Sequence, residues 1–188
     1  MEISFNYIAT FISLIYGLAL AHALTCIAEY VQNIHKIKNY WVWWVWALFL
    51  LLLSNGFWIS IYHIWSQVEQ WEMIYVVFIS FEACLFYLMY YFFFNHLKDL
   101  EENNLRIDYY KNSRYFFTLL TIALLCMLNL SEVLIGKFSL MESFSTKLPG
   151  VAICSMILVF TKNHKLHAFL SIVMTLMFSL IIIFEFIK

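Results

Sequence analysis

Six long apolar stretches, at residues 7–30, 41–65, 73–95, 115–136, 148–161 and 166–187, take up most of the 188 residues. A helix that crosses a bilayer needs about 20 mostly apolar residues. The pattern therefore predicts an all-α fold, a polytopic transmembrane helical bundle of about six spans in one domain covering 1–188. The fifth stretch is the short one. Pro149-Gly150 opens it, and it reads either as a short tilted helix beginning nearer Ser145 or as a re-entrant segment, which would leave five spans.

Composition closes off the water-soluble alternatives. Charged residues make up 12% of the chain, against roughly 25% in soluble domains, too few to cover a globule with polar surface. The net charge of −1 supplies no basic field for nucleic acid, so none is expected as a partner. Cys26, Cys84, Cys126 and Cys154 sit singly in different stretches. Their spacing suggests neither a disulfide framework nor a zinc site, and they read as small apolar filler. Ala19-Leu20-Ala21 looks like a signal-peptidase site. Met1-Glu2 supplies no basic segment before it, however, and the apolar run continues beyond it. The first stretch is expected to stay in the mature protein.

Basic residues orient the spans. Lys36 and Lys38, then Lys98, Arg106, Lys111 and Arg114, then Lys162 and Lys165 follow the first, third and fifth stretches, whereas Lys137, Lys147 and Lys188 fall on the other side. The bias puts both termini on the non-cytoplasmic side of a bacterial inner membrane. Trp65 and Trp71 on one side, and Trp41, Trp43, Trp44 and Trp46 on the other, are placed as interfacial aromatic belts. The cytoplasmic segment 97–114 is the one sizeable polar stretch, and its charges nearly cancel. It reads as a solvated helix extension and connector, with docking of a protein partner as the functional alternative.

Within the first stretch, Ala9, Ser13, Gly17, Ala21 and Thr25 recur every four residues. On a helix they form a narrow stripe of small side chains that lets another backbone approach. This marks the first helix as the hub of the bundle and its stripe as the packing face, also suited to a homo-oligomer. His22, Cys26 and Glu29 share a neighbouring face and form a candidate titrating face, because histidine changes charge near physiological pH. Haem or metal ligation by His22 would need a second ligand at the same depth.

Polar side chains at membrane depth are costly and usually face a bundle interior or water. Asn55, Glu82, Asn129 and Glu132, with Ser54 and Ser80 at similar depth, are placed on spans two, three and four as a candidate polar cavity or pore. Glu82 is nearest mid-span. The bland alternative is that these groups hydrogen-bond across helices with neutral carboxyls.

Gly17-Leu18-Ala19 with His22, Asp108-Tyr109-Tyr110 leading through Asn112 and Arg114 to Tyr115-Phe116-Phe117, and Thr161, Asn163 and His167 make the chain resemble uncharacterised bacterial multi-span membrane proteins. The resemblance implies about six spans and carries no function with it.

No catalytic motif is present: no GxSxG, HExxH, phosphate-binding glycine loop or paired-cysteine signature. No catalytic residue, metal or cofactor is assigned. The expected function is non-enzymatic: a multi-pass protein of the lipid bilayer that alters permeability or senses membrane state, as an accessory or effector component in a setting such as bacterial defence or stress response. A small ion- or proton-coupled transporter is the first alternative. Asn55-Gly56 and Pro149-Gly150, as breaks in the second spans of two inverted halves, are its support. A membrane redox or lipid-handling enzyme is the second.

Overall fold

The structure, a computed structural model, describes residues 5–99, 101–137, 139, 141–142 and 149–187. Among the described residues it is all-α, in seven helices. Three of them, α1 (Phe5–Gln32), α2 (Trp41–Trp65) and α3 (Met73–Phe93), are long and apolar enough to cross a membrane. α4 (Leu105–Leu125) continues through a π-helical turn, Cys126–Leu130, into the short α5 (Ser131–Leu134). α6 (Pro149–Phe160) and α7 (His164–Ile187) complete the order.

Hydropathy alone sets the ends of α2 correctly, and Asn55-Gly56 do not interrupt it. Residues 105–114 of the polar segment are helix, the extension expected of them. Asn104 caps that helix, its side chain accepting the Arg106 N–H at 3.1 Å, which satisfies a donor the first turn would otherwise leave open. α6 has 12 residues, a rise of about 18 Å against the roughly 30 Å of a hydrocarbon core. Residues 145–148, where the fifth stretch was expected to begin, lie outside the described residues, as do Lys147 and Lys188.

One end of the bundle gathers the connections after α1, α3 and α6. The Lys38 N–H donates to the Asn103 carbonyl at 2.8 Å and the Leu105 N–H donates back to the Lys38 carbonyl at 3.2 Å, tying the first connector to the third. The Lys36, Lys38, Arg106 and Lys111 positions therefore share an end, and the Tyr109–His167 contact brings Lys162 and Lys165 to it. Glu102 and Asn103 take positive φ, 52° and 49°, a left-handed conformation that asparagine tolerates better than glutamate does.

The hub is α2 rather than α1. α1 packs on α3, α3 on α4, α4 on α6, and α2 on α7. α2 then reaches the others through large rings. Trp43 meets Tyr30 of α1 at 5.0 Å between ring centroids and stacks on Phe93 of α3 at 5.3 Å. Trp46 meets Phe117 of α4 at 4.9 Å, and Phe49 meets Phe178 of α7 at 5.6 Å. Phe57 stacks on Phe86 of α3 at 4.8 Å. In a bilayer, where lipid tails are as apolar as these side chains, ring packing and dispersion rather than hydrophobic expulsion would hold such helices together. This overturns part of the belt assignment: Trp43, Trp46 and Trp65 are fully buried core residues, while Trp41 is exposed.

The small-residue stripe of α1 also turns out differently. Ala9 and Ser13 are half-buried, and Gly17, Ala21 and Thr25 are exposed. The side of α1 that meets its neighbours carries Ile12, Tyr16, Ala19, Ala23, Cys26 and Tyr30. Ala19 lies two residues from Gly17, roughly 200° around the axis. Small residues do allow close approach, but Ala19, Ala23 and Cys26 are the ones that provide it. A Cβ at Gly17 meets nothing within 4 Å. Gly17→Leu should therefore leave the stability of a single chain unchanged or raise it by about 0.5–1 kcal/mol, from the helix-interior cost of glycine. A marked drop in the midpoint of thermal unfolding in detergent would return the stripe to the intramolecular packing face.

Candidate functional site

Glu82 of α3 is buried at mid-helix, beside Leu53, Phe57, Phe86, Ala123, Leu124 and Met127. These residues line a cavity of about 10 Å³, room for roughly one water. The Ser131 hydroxyl lies 2.9 Å from Glu82 Oε1 and also 2.9 Å from the Cys126 carbonyl. The same carbonyl accepts the Ser131 backbone N–H, the bond that closes the π turn. A π turn inserts one residue into the helical register. Here it accompanies the burial of Asn129, Ser131 and Glu132 together, although in a regular helix Asn129 and Ser131 would lie roughly 200° apart.

Of the four residues assigned to a polar cavity, Glu82, Asn129 and Glu132 are buried. Asn55 is not part of this group. It is exposed, and its side-chain amide donates to the Leu51 carbonyl of its own helix at 2.8 Å. The reason is the seven-residue repeat of the outer stripe of α2, which puts Trp41, Leu48, Asn55 and Tyr62 on one exposed face.

Ser54, one residue earlier, faces inward. It joins a tyrosine–serine network in which the Tyr16 hydroxyl donates to the Ser54 carbonyl, the Tyr90 hydroxyl donates to the Leu50 carbonyl at 2.7 Å, and the Ser54 and Tyr90 hydroxyls meet. Tyr16, Tyr90 and Ser131 escape a sequence reading because hydroxyl-bearing residues look apolar or neutral in a hydropathy scan. A search for tyrosines at mid-span in adjacent helices would find the first two.

At the connector end, His22, Cys26 and Glu29 come together with a fourth residue, His96. The His22 Nε2–H donates to the Phe94 carbonyl at 2.7 Å, and Cys26 Sγ is 4.0 Å from the same nitrogen. Glu29 accepts from His96 Nδ1–H at 3.0 Å through one oxygen and from the Leu97 N–H at 2.9 Å through the other. The two imidazoles meet edge to face, 5.3 Å between centroids. Burial between α3 and α4 lifts the Asp108 carboxyl above its ordinary range, while the Asn95 amide, donating to both of its oxygens, pulls it back. Tyr30 fixes the same segment by donating to the Asn95 carbonyl.

A third network joins the helices that carry the sequence landmarks. The buried His167 of α7 donates from Nε2–H to the Thr161 carbonyl at 2.8 Å, which leaves Nδ1 to accept the Tyr109 hydroxyl at 2.8 Å. It latches α4 to the α6–α7 turn. At the opposite end of the bundle an open cleft of about 300 Å³ is lined by Gln67, Glu69, Gln70, Tyr75, Ile135 and Lys137.

Compared with protein-family models, curated proteins and solved structures, the chain matches none of them. The arrangement defines a helical protein with three candidate membrane spans and two further, shorter apolar helices, which suits contact with a lipid bilayer.

Proposed function

We propose that this chain is a non-enzymatic, multi-pass protein of a bacterial inner membrane, with about six spans and both termini on the non-cytoplasmic side. In this reading it alters membrane permeability, or senses membrane state for a partner, in answer to protonation of Glu82. The observation that carries the reading is the chain Glu82–Ser131–Cys126 at the π turn. A serine hydroxyl has one hydrogen to give, and here two acceptors stand at equal distance. With Glu82 protonated, its own O–H donates to Ser131 and the serine donates to Cys126, so every group is satisfied. With Glu82 ionised, the serine turns to the carboxylate and leaves the helix carbonyl to the backbone N–H alone. The proton on Glu82 is thereby coupled to the geometry of the π turn, which is the element that switches.

A cavity of about 10 Å³ passes no solute, so permeation belongs to an assembly or to an opened state. The exposed small-residue stripe of α1 has the shape that accepts a second copy, and the connector segment 97–114 is the surface offered to a protein partner. The transporter alternative loses half of its support, because α2 runs unbroken through Asn55-Gly56. It keeps the short α6 that begins at Pro149.

The test is proton and ion leak in liposomes reconstituted with the full chain, read with an internal pH dye across an external pH series. Wild type should show a pH-dependent leak, and Glu82→Gln should show a flat one at unchanged protein content. A wild-type leak no greater than that of empty liposomes, or an identical pH profile for the variant, would overturn the reading.

A further inference from the structure

We propose that His22, Cys26 and His96 form a binding site for a single thiophilic metal ion, Zn²⁺ or Cu⁺, at the connector end of α1. One nitrogen from each imidazole and Cys26 Sγ lie within 4.8 Å of one another. Ligand atoms around one zinc ion, with bonds of about 2.0–2.3 Å, are separated by roughly 3.3–3.8 Å. Side-chain rotations that shift these atoms by about 1 Å close the site. His22 and Cys26 are one helical turn apart on a rigid element and act as a chelating pair. His96 comes from a different segment, and the ion would staple the end of α3 to α1.

The surroundings are those of a ligating site. Metal-bound histidines generally donate their second ring N–H to a carboxylate or a backbone carbonyl, which fixes the tautomer and makes the other nitrogen more basic. His96 does so here, donating from Nδ1 to Glu29, which leaves its Nε2 for the ion. His22 Nε2, the nitrogen facing Cys26 Sγ, donates to the Phe94 carbonyl and exchanges that bond for the metal as its proton moves to Nδ1. The Leu97 N–H anchors the second oxygen of Glu29, so the orienting carboxylate is itself oriented. The donor set of two imidazoles and one thiol favours a borderline or soft ion over magnesium or calcium. On binding, the Cys26 thiol proton is released to solvent and the thiolate bonds the metal. The thiolate and the Glu29 carboxylate together balance a divalent charge in a half-buried place. Three protein ligands leave the fourth position to water, so the ion is exchangeable rather than structural.

The experiment uses full-length protein in detergent, stripped with a chelator and titrated with Co²⁺, the spectroscopic stand-in for Zn²⁺. Wild type should develop a thiolate-to-cobalt charge-transfer band that saturates near one ion per chain and is bleached by Zn²⁺. Cys26→Ser should abolish the band. His96→Gln should weaken binding at least tenfold, and Glu29→Gln should weaken it about 10–100-fold through loss of the orienting carboxylate. Cys84→Ser, which alters an exposed thiol elsewhere on α3, should change nothing. Circular dichroism on each stripped variant establishes that the fold is kept. No band in the wild type, or a band that survives Cys26→Ser and disappears with Cys84→Ser, would overturn the site.

Discussion

Replacing Trp46 with alanine should lower the stability of the bundle by about 3 kcal/mol. Trp→Ala in a soluble core typically costs about 3–5 kcal/mol, the sum of a transfer term and a cavity term. In a bilayer the transfer term shrinks, because the unfolded reference is also apolar, and the low end of that range is expected. The cavity term remains: Trp46 is fully buried, with Phe49, Phe116 and Phe117 edge-on around it at 5.2, 5.8 and 4.9 Å. None of these rings follows the missing indole without losing its own contacts. Trp41→Ala is the matched control. It lies on the same helix but is 51% exposed, and its loss should stay within about 0.5 kcal/mol. Reversible unfolding in mixed detergent, followed by tryptophan fluorescence or circular dichroism, measures both. Equal losses would mean that α2 is not the centre of the bundle.

The contrast between these two tryptophans shows what a hydropathy reading captures and what it loses. It captures extent. The bounds of α2 and the first residue of α3 follow from where the apolar run begins, since a long apolar segment has few other ways to satisfy its backbone. It loses azimuth. In a soluble helix the polar face marks the outside; in a span, both faces are apolar and the inward one differs only in shape. Trp41 and Trp46 are therefore indistinguishable by hydropathy, and so are the stripes Ala9–Gly17–Ala21 and Ala19–Ala23–Cys26. Asn55 departs from its expected place for the same reason: hydropathy gives its depth, while its face is set by the seven-residue repeat of the exposed side of α2.

His96 is legible in the sequence as a residue and invisible as a partner. It follows the end of α3, and only the contact of α1 with α3 brings it to Glu29 and His22. The π turn is not legible. Nothing in Cys126–Leu130 distinguishes it from a regular helix, and the partner of Glu82 depends on that one inserted residue.

The Glu82–Ser131 contact gives the second large effect. Glu82→Leu should destabilise the bundle by about 1–3 kcal/mol, the cost of leaving buried polar groups without the partner they were folded around. Glu82→Gln should cost well under half of that, because its amide can donate to Ser131 while the serine donates to Cys126, the same chain a protonated carboxyl makes. Ser131→Ala tests the pair from the other side. Combined with Glu82→Leu it should cost less than the sum of the single losses, since the second substitution removes the group that the first one stranded. Unfolding in detergent at fixed pH gives all four values. Strict additivity would mean that Glu82 and Ser131 do not share a hydrogen bond in the folded protein, and the proton-coupled role proposed for the π turn would fall with it.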